Sequence, residues 1–297
     1  MKRHADFQTE ERTFTSKGVR CAATLYRPLS TRKAVPCVVL APSVNLTRKD
    51  AYPRFAERFA TAGYAALLFD YRYLGDSEGE PRQLVDYQQQ REDIHAAVAF
   101  ARSVQGIDPA QIILWGFSFG GGHVINVAAE DKQVAAVLTL CPFLDGLQFS
   151  AASGVGNSLR RMAAAARASW IREPIRMPVT APSRQLALFN QQEAALGFEA
   201  LRAEESLWRN DILVKPTQPP FRIRPIRHAK YITCPLWIGL ATHDTMVPSS
   251  PMRRLAQRAP IAELRTFSAG HFDGFLERFD EVIKSQLAFL RRSLAHA

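Results

Sequence analysis

Gly116-Phe117-Ser118-Phe119-Gly120 stands where a short apolar run, Gln111 to Trp115, gives way to a helical pattern reaching from Phe119 to about Glu130. A strand that passes straight into a helix must turn within a few residues, and a serine at the tip is forced into strained backbone geometry. Glycines two places to either side remove the Cβ atoms that would hold strand and helix apart. The hydroxyl then stands above the carboxyl ends of the strands, at the amino end of a helix whose dipole favours developing negative charge. This spacing makes Ser118 a candidate nucleophile and the backbone N–H of Phe119 a candidate oxyanion donor.

Serine is a weak nucleophile at neutral pH, so the turn has chemical meaning only if a base and an orienting acid reach it from elsewhere. Of seven histidines, His271 has the right place: Ser268-Ala269-Gly270-His271-Phe272-Asp273-Gly274 follows the last apolar strand and precedes the closing helix. His95 and His123 fall inside helices, and His228 and His243 lack that position. The chain order serine, acid, histidine points to Asp244, which follows the run Leu236 to Leu240; Asp145, after Leu140 to Leu144, is its rival. A second oxyanion donor is expected from the loop after Val38-Val39-Leu40. There Ala41-Pro42-Ser43-Val44 offers Ser43 or Val44, since Pro42 has no N–H.

Working outward, apolar runs and helical patterns alternate from residue 11 to about 145. Thr13 to Ser16 and Arg20 to Arg27 read as paired strands around Lys17-Gly18, and Pro36 to Pro42 and Ala65 to Asp70 as buried strands with a helix from Tyr52 to Ala62 between them. A long helix over 86–104, a turn at Gly106-Ile107-Asp108-Pro109 and a strand from Val134 to Leu140 complete this part. Between about Gly146 and His228 no strand signal is seen, and helices are expected over 157–170 and 191–207. The strand rhythm resumes with Pro235 to Leu240 and Ala262 to Phe267, followed by a closing helix from Phe272. The expected organisation is one core domain, residues 1–145 and 229–297, carrying a helical cap insertion over 146–228.

Taken together, these residues resemble the α/β-hydrolase superfamily over nearly the whole chain apart from the insertion. Asp70-Tyr71-Arg72-Tyr73-Leu74-Gly75-Asp76-Ser77-Glu78-Gly79 and the stretch from Ile107 to Gly122 look like its dienelactone-hydrolase-like and serine-peptidase-like esterase branch. The resemblance implies an α/β fold with a mostly parallel central sheet flanked by helices. It also implies two-step acyl transfer: Ser118 attacks a carbonyl, His271 takes and returns the proton, Asp244 orients His271, and water releases the acyl group. Carboxylic esters, thioesters or lactones are the implied substrates. Acyl transfer to another acceptor and carbon–carbon bond hydrolysis use the same three side chains, and a noncatalytic binding protein on this scaffold would be expected to lack one of them. Two departures stand out: dienelactone hydrolases proper carry cysteine where this chain has Ser118, and Ala41-Pro42 replaces the usual His-Gly of the oxyanion loop. Asp70 and Asp76 belong to a loop the family uses for structure.

The 297 residues hold 38 Lys or Arg against 28 Asp or Glu, a formal charge of +10. Residues 146–228 supply twelve of these cations against six acids, so an anionic acyl substrate met by insertion arginines such as Arg160 or Arg161 stands beside a merely solvated face. Nucleic acid is not an expected partner, because no zinc-finger spacing, aromatic-basic motif or long basic block is present. No apolar run approaches the roughly 18 residues that cross a bilayer. The polar start from Met1 to Arg12 lacks the apolar core of a secretion signal, so a cytoplasmic place is expected. Cys21, Cys37, Cys141 and Cys234 are too scattered for a metal site or disulfide scaffold and read as small buried apolar residues. No cofactor or metal is expected, and the oligomeric state is open.

Overall fold

The computed structural model describes residues 2–3, 6–29, 33–152, 156, 159–161, 163–164, 166, 170, 173–182, 184–215 and 220–295. The chain opens with β1 (Lys2–Arg3), β2 (Phe7–Ser16) and β3 (Val19–Pro28), then β4 (Val35–Ala41), α1 (Pro53–Thr61) and β5 (Ala65–Phe69). After β6 (Leu84–Val85) come α2 (Tyr87–Ser103), β7 (Ile107–Phe117), α3 (Ser118–Glu130) and β8 (Val134–Leu140). The insertion holds α4 (Gly146–Ala152), β9 (Ile175–Met177), α5 (Gln192–Leu201) and β10 (Ile212–Val214). The core closes with β11 (Leu236–Ala241), α6 (Ser249–Arg258), β12 (Ala262–Phe267) and α7 (Phe279–Leu294).

Nine strands form one sheet in the order β1-β2-β3-β5-β4-β7-β8-β11-β12. The first three and their junction with β5 are antiparallel, and from β5 to β12 every pairing is parallel. Parallel strands are covered on both faces, which is why β4, β5 and the second half of β7 are continuous buried apolar runs. β8 pairs with β11 across the insertion, so segments on both sides of residues 146–228 build the same sheet.

Local chemistry sets the helix ends. Pro53 occupies the first turn of α1, where its missing N–H costs nothing. Asp86 caps α2 by accepting from the backbone N–H groups of Gln88 and Gln89, each at 3.0 Å. Beneath the sheet's carboxyl edge Trp115 meets Phe55 at 4.8 Å between ring centroids, and Phe275 lies 5.0 Å from Phe55 and 4.8 Å from Phe117. The Trp115 indole N–H donates to Gln286 Oε1 at 3.0 Å, which ties α7 to the central strand. This aromatic floor fixes the height of the residues that follow β7.

Three expectations need correction. The insertion is not purely helical: β9 and β10 join β6 in a small second sheet, Leu213 pairing with Leu84 and with Arg176. Runs of three residues carry too little periodicity to be recognised in a sequence. The turn expected at 106–109 belongs largely to β7, because Ile107 pairs with Val35 ahead of a register shift in β4. The closing helix begins at Phe279; residues 272–278 make a tight turn in which Phe275 N–H donates to the Phe272 carbonyl and Arg278 N–H to that of Asp273. Of the helix expected over 157–170 half the residues lie outside the described ones and the other half are helical, and the helix expected over 191–207 ends at Leu201. Among the described residues no helix is long and apolar enough to cross a membrane.

Candidate active site

The strand-to-helix turn after β7 puts Ser118 at φ +52°, a left-handed conformation that costs a non-glycine residue strain. The turn is possible because of what its flanking glycines lack. A Cβ on Gly116 would lie 2.5 Å from the Gly120 carbonyl oxygen, and one on Gly120 would lie 2.4 Å from that of Ala41 and 2.5 Å from that of Pro42. All three obstacles are backbone and cannot swing aside. Gly120→Ala is therefore expected to lower the unfolding free energy by about 1–3 kcal/mol, read from a shift in the denaturant midpoint, and to push the 41–44 loop away from Ser118.

Ser118 Oγ lies 3.0 Å from His271 Nε2, and His271 Nδ1 lies 2.6 Å from Asp244 Oδ2. Each side chain comes from the carboxyl end of a different strand: Ser118 after β7, Asp244 after β11, His271 after β12. Asp244 Oδ1 accepts from the N–H groups of Met246 and Val247 at 2.7 and 2.9 Å, so this carboxylate both holds its own loop and faces the imidazole. The Asp244 and His271 side chains are each 1 % exposed, which strengthens the contact between them. Phe117 lies 4.8 Å below the imidazole and Phe272 5.0 Å beside it. The Cys141 thiol lies within the same cluster. Burial pushes it well above the ordinary thiol range, so it remains protonated.

The remaining candidates fall elsewhere. Asp145 accepts from Leu147 N–H at the start of α4 and is bound by Arg224 at 3.0 and 3.1 Å, which makes it a cap held by an ion pair. His123 is fully buried against Gln90, 3.0 Å from its Oε1, and burial pulls it down to about 3. His95 pairs with Glu130 on the surface. Asp70 is buried beneath Arg48, whose backbone N–H and guanidinium reach it at 2.7 and 2.5 Å; Arg48 also binds Asp76.

The oxyanion side requires a choice between the two loop donors. The Ser43 N–H already donates to the buried Tyr52 hydroxyl at 2.7 Å, which commits it and leaves Val44 as the loop's candidate beside Phe119. The Val44 carbonyl accepts from Gln90 Nε2 at 2.9 Å and the Pro42 carbonyl from Tyr71 at 3.1 Å, so the loop is held from below.

A chain of rings surrounds these groups. Phe119, next to Ser118, lies 5.6 Å from Phe143, which lies 5.2 Å from Phe149 of α4. Phe149 lies 5.8 Å from Phe189, and Phe198 of α5 joins Phe189 to Phe272 at 5.9 and 5.5 Å. Arg160 is exposed. Arg161 lies with its guanidinium 5.5 Å from the Phe149 ring centroid, donates to the Leu188 carbonyl at 3.1 Å, and has a second, buried terminal nitrogen with no hydrogen-bond partner among the described residues. Glu193 of α5 was not foreseen: one of its oxygens accepts from the His271 backbone N–H, the other from Thr245 N–H at 2.9 Å and from the Thr245 hydroxyl. A glutamate whose partners are mainly backbone groups from two distant loops leaves no motif in the sequence.

A model of the alpha/beta hydrolase family matches residues 38–285, which include both loops and the serine turn. The chain belongs to the α/β hydrolase family. Within it, the quorum-quenching protein AidA of Acinetobacter baumannii is 40% identical over 284 residues, covering 94% of this chain and 93% of that protein. The polyketide transferase grgF of Penicillium sp. is 37% identical over 110 residues, 37% of each chain. Among solved structures, the α/β hydrolase GrgF from Penicillium sp. sh18 superposes with a TM-score of 0.81 at 26% identity, covering 97% of this chain and 99% of that one. Ser118, Asp244 and His271 stand in the serine, acid, histidine chain order that α/β hydrolases use.

Proposed function

We propose that this α/β hydrolase is a serine hydrolase of small acyl substrates, carboxylic esters, thioesters or lactones, in which Ser118 is the nucleophile, His271 the general base and Asp244 the orienting acid. The observation that carries this reading is the line of contacts from Ser118 Oγ to His271 Nε2 at 3.0 Å and from Nδ1 to Asp244 at 2.6 Å. With Nδ1–H donating to Asp244, the imidazole keeps Nε2 unprotonated and able to accept the serine proton. Ser118 Oγ then bonds to the carbonyl carbon while its proton passes to Nε2. The carbonyl oxygen becomes an anion facing the N–H groups of Phe119 and Val44. Collapse of this intermediate breaks the bond to the leaving group, which takes the proton from Nε2. Water repeats the sequence, releasing the acid and restoring Ser118. Residues 146–228 act in this proposal as a cap whose rings receive the acyl chain.

Two features narrow the substrate. The similarity to a quorum-quenching protein over nearly the full length favours a small signal molecule bearing an ester or lactone. The spare donor on Arg161 favours a substrate with an anionic group, since burial pulls the guanidinium below its usual range and a carboxylate or phosphate beside it would offset that cost. Arg161→Met is expected to raise KM for an anionic ester about tenfold or more and to leave a neutral ester of the same acyl length within twofold. Steady-state kinetics on the matched pair read this out. Transfer of the acyl group to an alcohol or amine in place of water is the second reading, favoured by the similarity to a polyketide transferase. The test is a panel of esters, thioesters and lactones incubated with and without acceptor alcohols, with products identified by mass spectrometry. Free acid as the dominant product supports hydrolysis, acyl-acceptor adducts support transfer, and an unconsumed panel contradicts both.

A further inference from the structure

Helix α5 spans ten residues, about 15 Å, and both of its ends hold loops of the candidate site. At its amino end Glu193 accepts from the His271 backbone N–H with one oxygen and from Thr245, the residue after Asp244, with the other. On the following turn Phe198 packs 5.5 Å from Phe272, the residue after His271. At its carboxyl end the Leu201 carbonyl accepts from Ala51 N–H at 3.0 Å, and Ala203 N–H donates to Asp50 at 3.3 Å. Asp50 in turn accepts from Thr47 N–H at 2.6 Å. A little further on, the Trp208 indole donates to Asn45 Oδ1 at 3.1 Å, and Asn45 donates back to the Arg209 carbonyl at 2.8 Å. One element of the insertion thus grips the acid and base loops at one end and the Val44 loop at the other.

We propose that α5 is a strut that sets the spacing between the base and the oxyanion donors, and that Glu193 is the positioning residue through which it fixes His271. The inference rests on the acyl-transfer reading above. Removal of the Glu193 carboxylate leaves the His271 and Thr245 N–H groups without their acceptor, and such orphaned donors are relieved by movement of the loops that carry them. A displacement of about 1 Å at the imidazole is enough to cost roughly a hundredfold in rate. Glu193 also sits in the first turn of α5, where the helix dipole favours its negative charge. That charge lies in the same group of loops as two others: Asp244 at Nδ1 of the imidazole, and Asp273, which accepts from Gly270 N–H at 2.7 Å. The neutral Cys141 thiol and the Ser118 hydroxyl complete the polar surroundings. Negative charge here favours the imidazolium formed during the reaction, so its loss makes that species harder to form.

The test uses the full chain with p-nitrophenyl butyrate, measuring kcat, KM and the acid limb of the pH–kcat profile for the wild type, Glu193→Ala, Glu193→Gln and Thr245→Val. Glu193→Ala is expected to lower kcat about 10- to 100-fold with KM within threefold, and to move the acid limb down by about half to one pH unit. Glu193→Gln should recover part of kcat, because its amide oxygen still accepts one N–H, while its acid limb stays shifted because the charge is gone. Thr245→Val should leave the limb in place. If Glu193→Ala does not fold, the Gln variant carries the test by the position of its limb. Glu193 variants with kcat within twofold of an active wild type and an unmoved limb overturn the inference and leave the acyl-transfer reading standing. A wild type that releases no p-nitrophenol and takes no fluorophosphonate at Ser118 sinks that reading first, and the strut with it.

Discussion

Ser118→Ala is expected to reduce turnover of an activated ester by about 10⁵- to 10⁶-fold while the protein remains folded. The substitution removes one oxygen atom, that of the proposed nucleophile, which stands 3.0 Å from His271. Alanine meets the same backbone strain at φ +52° as serine does, and the clearances that shape the turn belong to Gly116 and Gly120, which are untouched. Loss of activity with an unchanged circular dichroism spectrum and melting midpoint is therefore the expected pair of results. Retention of more than a few per cent of activity would place the nucleophile elsewhere.

Asp244→Asn is the second large effect, a fall in kcat of about 10⁴-fold with little change in packing. The amide keeps the shape of the carboxylate but can turn its NH₂ toward Nδ1, which favours the tautomer with the proton on Nε2. In that tautomer the imidazole donates to Ser118 where it should accept. The 2.6 Å contact and the near-complete burial of both side chains leave no water to repair this. Asp145→Asn supplies the contrast. Its partners are Arg224 and the start of α4, so it should lower the melting midpoint while leaving kcat within a few fold. Stopped assays on the two variants, each with a melting curve, separate an orienting acid from a structural one. An Asp145→Asn defect larger than that of Asp244→Asn would reverse the assignment.

Much of this arrangement is legible before any coordinates are considered, because the informative residues are constrained locally. The serine turn needs glycine at 116 and 120 for clearances that follow from strand and helix geometry alone. The positions of Asp244 and His271 follow from their place after strands long enough to recognise, the first fully buried and the second mostly part-exposed. Where the reading stops, the cause is contact between segments that are far apart in the chain. Nothing in Ser43-Val44 says that a tyrosine hydroxyl from position 52 occupies the first N–H. Three-residue strands such as β9 and β10 depend on partners distant in the chain: β10 pairs with Leu84 and Val85, and β9 with β10. Glu193 is one of six acids in a basic insertion, and only the fold brings it against the backbone of residues 245 and 271.

In the proposed reading, residues 146–228 are where hydrolysis and acyl transfer would part. A hydrolase and a transferase can share the serine, histidine and aspartate and differ in what reaches the acyl-enzyme second. Phe149, Phe189 and Phe198 are buried rings of residues 146–228, and the Arg161 guanidinium lies 5.5 Å from the Phe149 ring centroid.

The most direct test of the central claim is the site and histidine dependence of covalent labelling. Wild-type protein is treated with a fluorophosphonate, digested, and mapped by mass spectrometry, beside His271→Ala treated in the same way. The account predicts one adduct, on the peptide bearing Ser118, formed on the wild type at least about a thousandfold faster than on the variant. An adduct on another residue, or equal labelling of Ser118 in the two proteins, would contradict it.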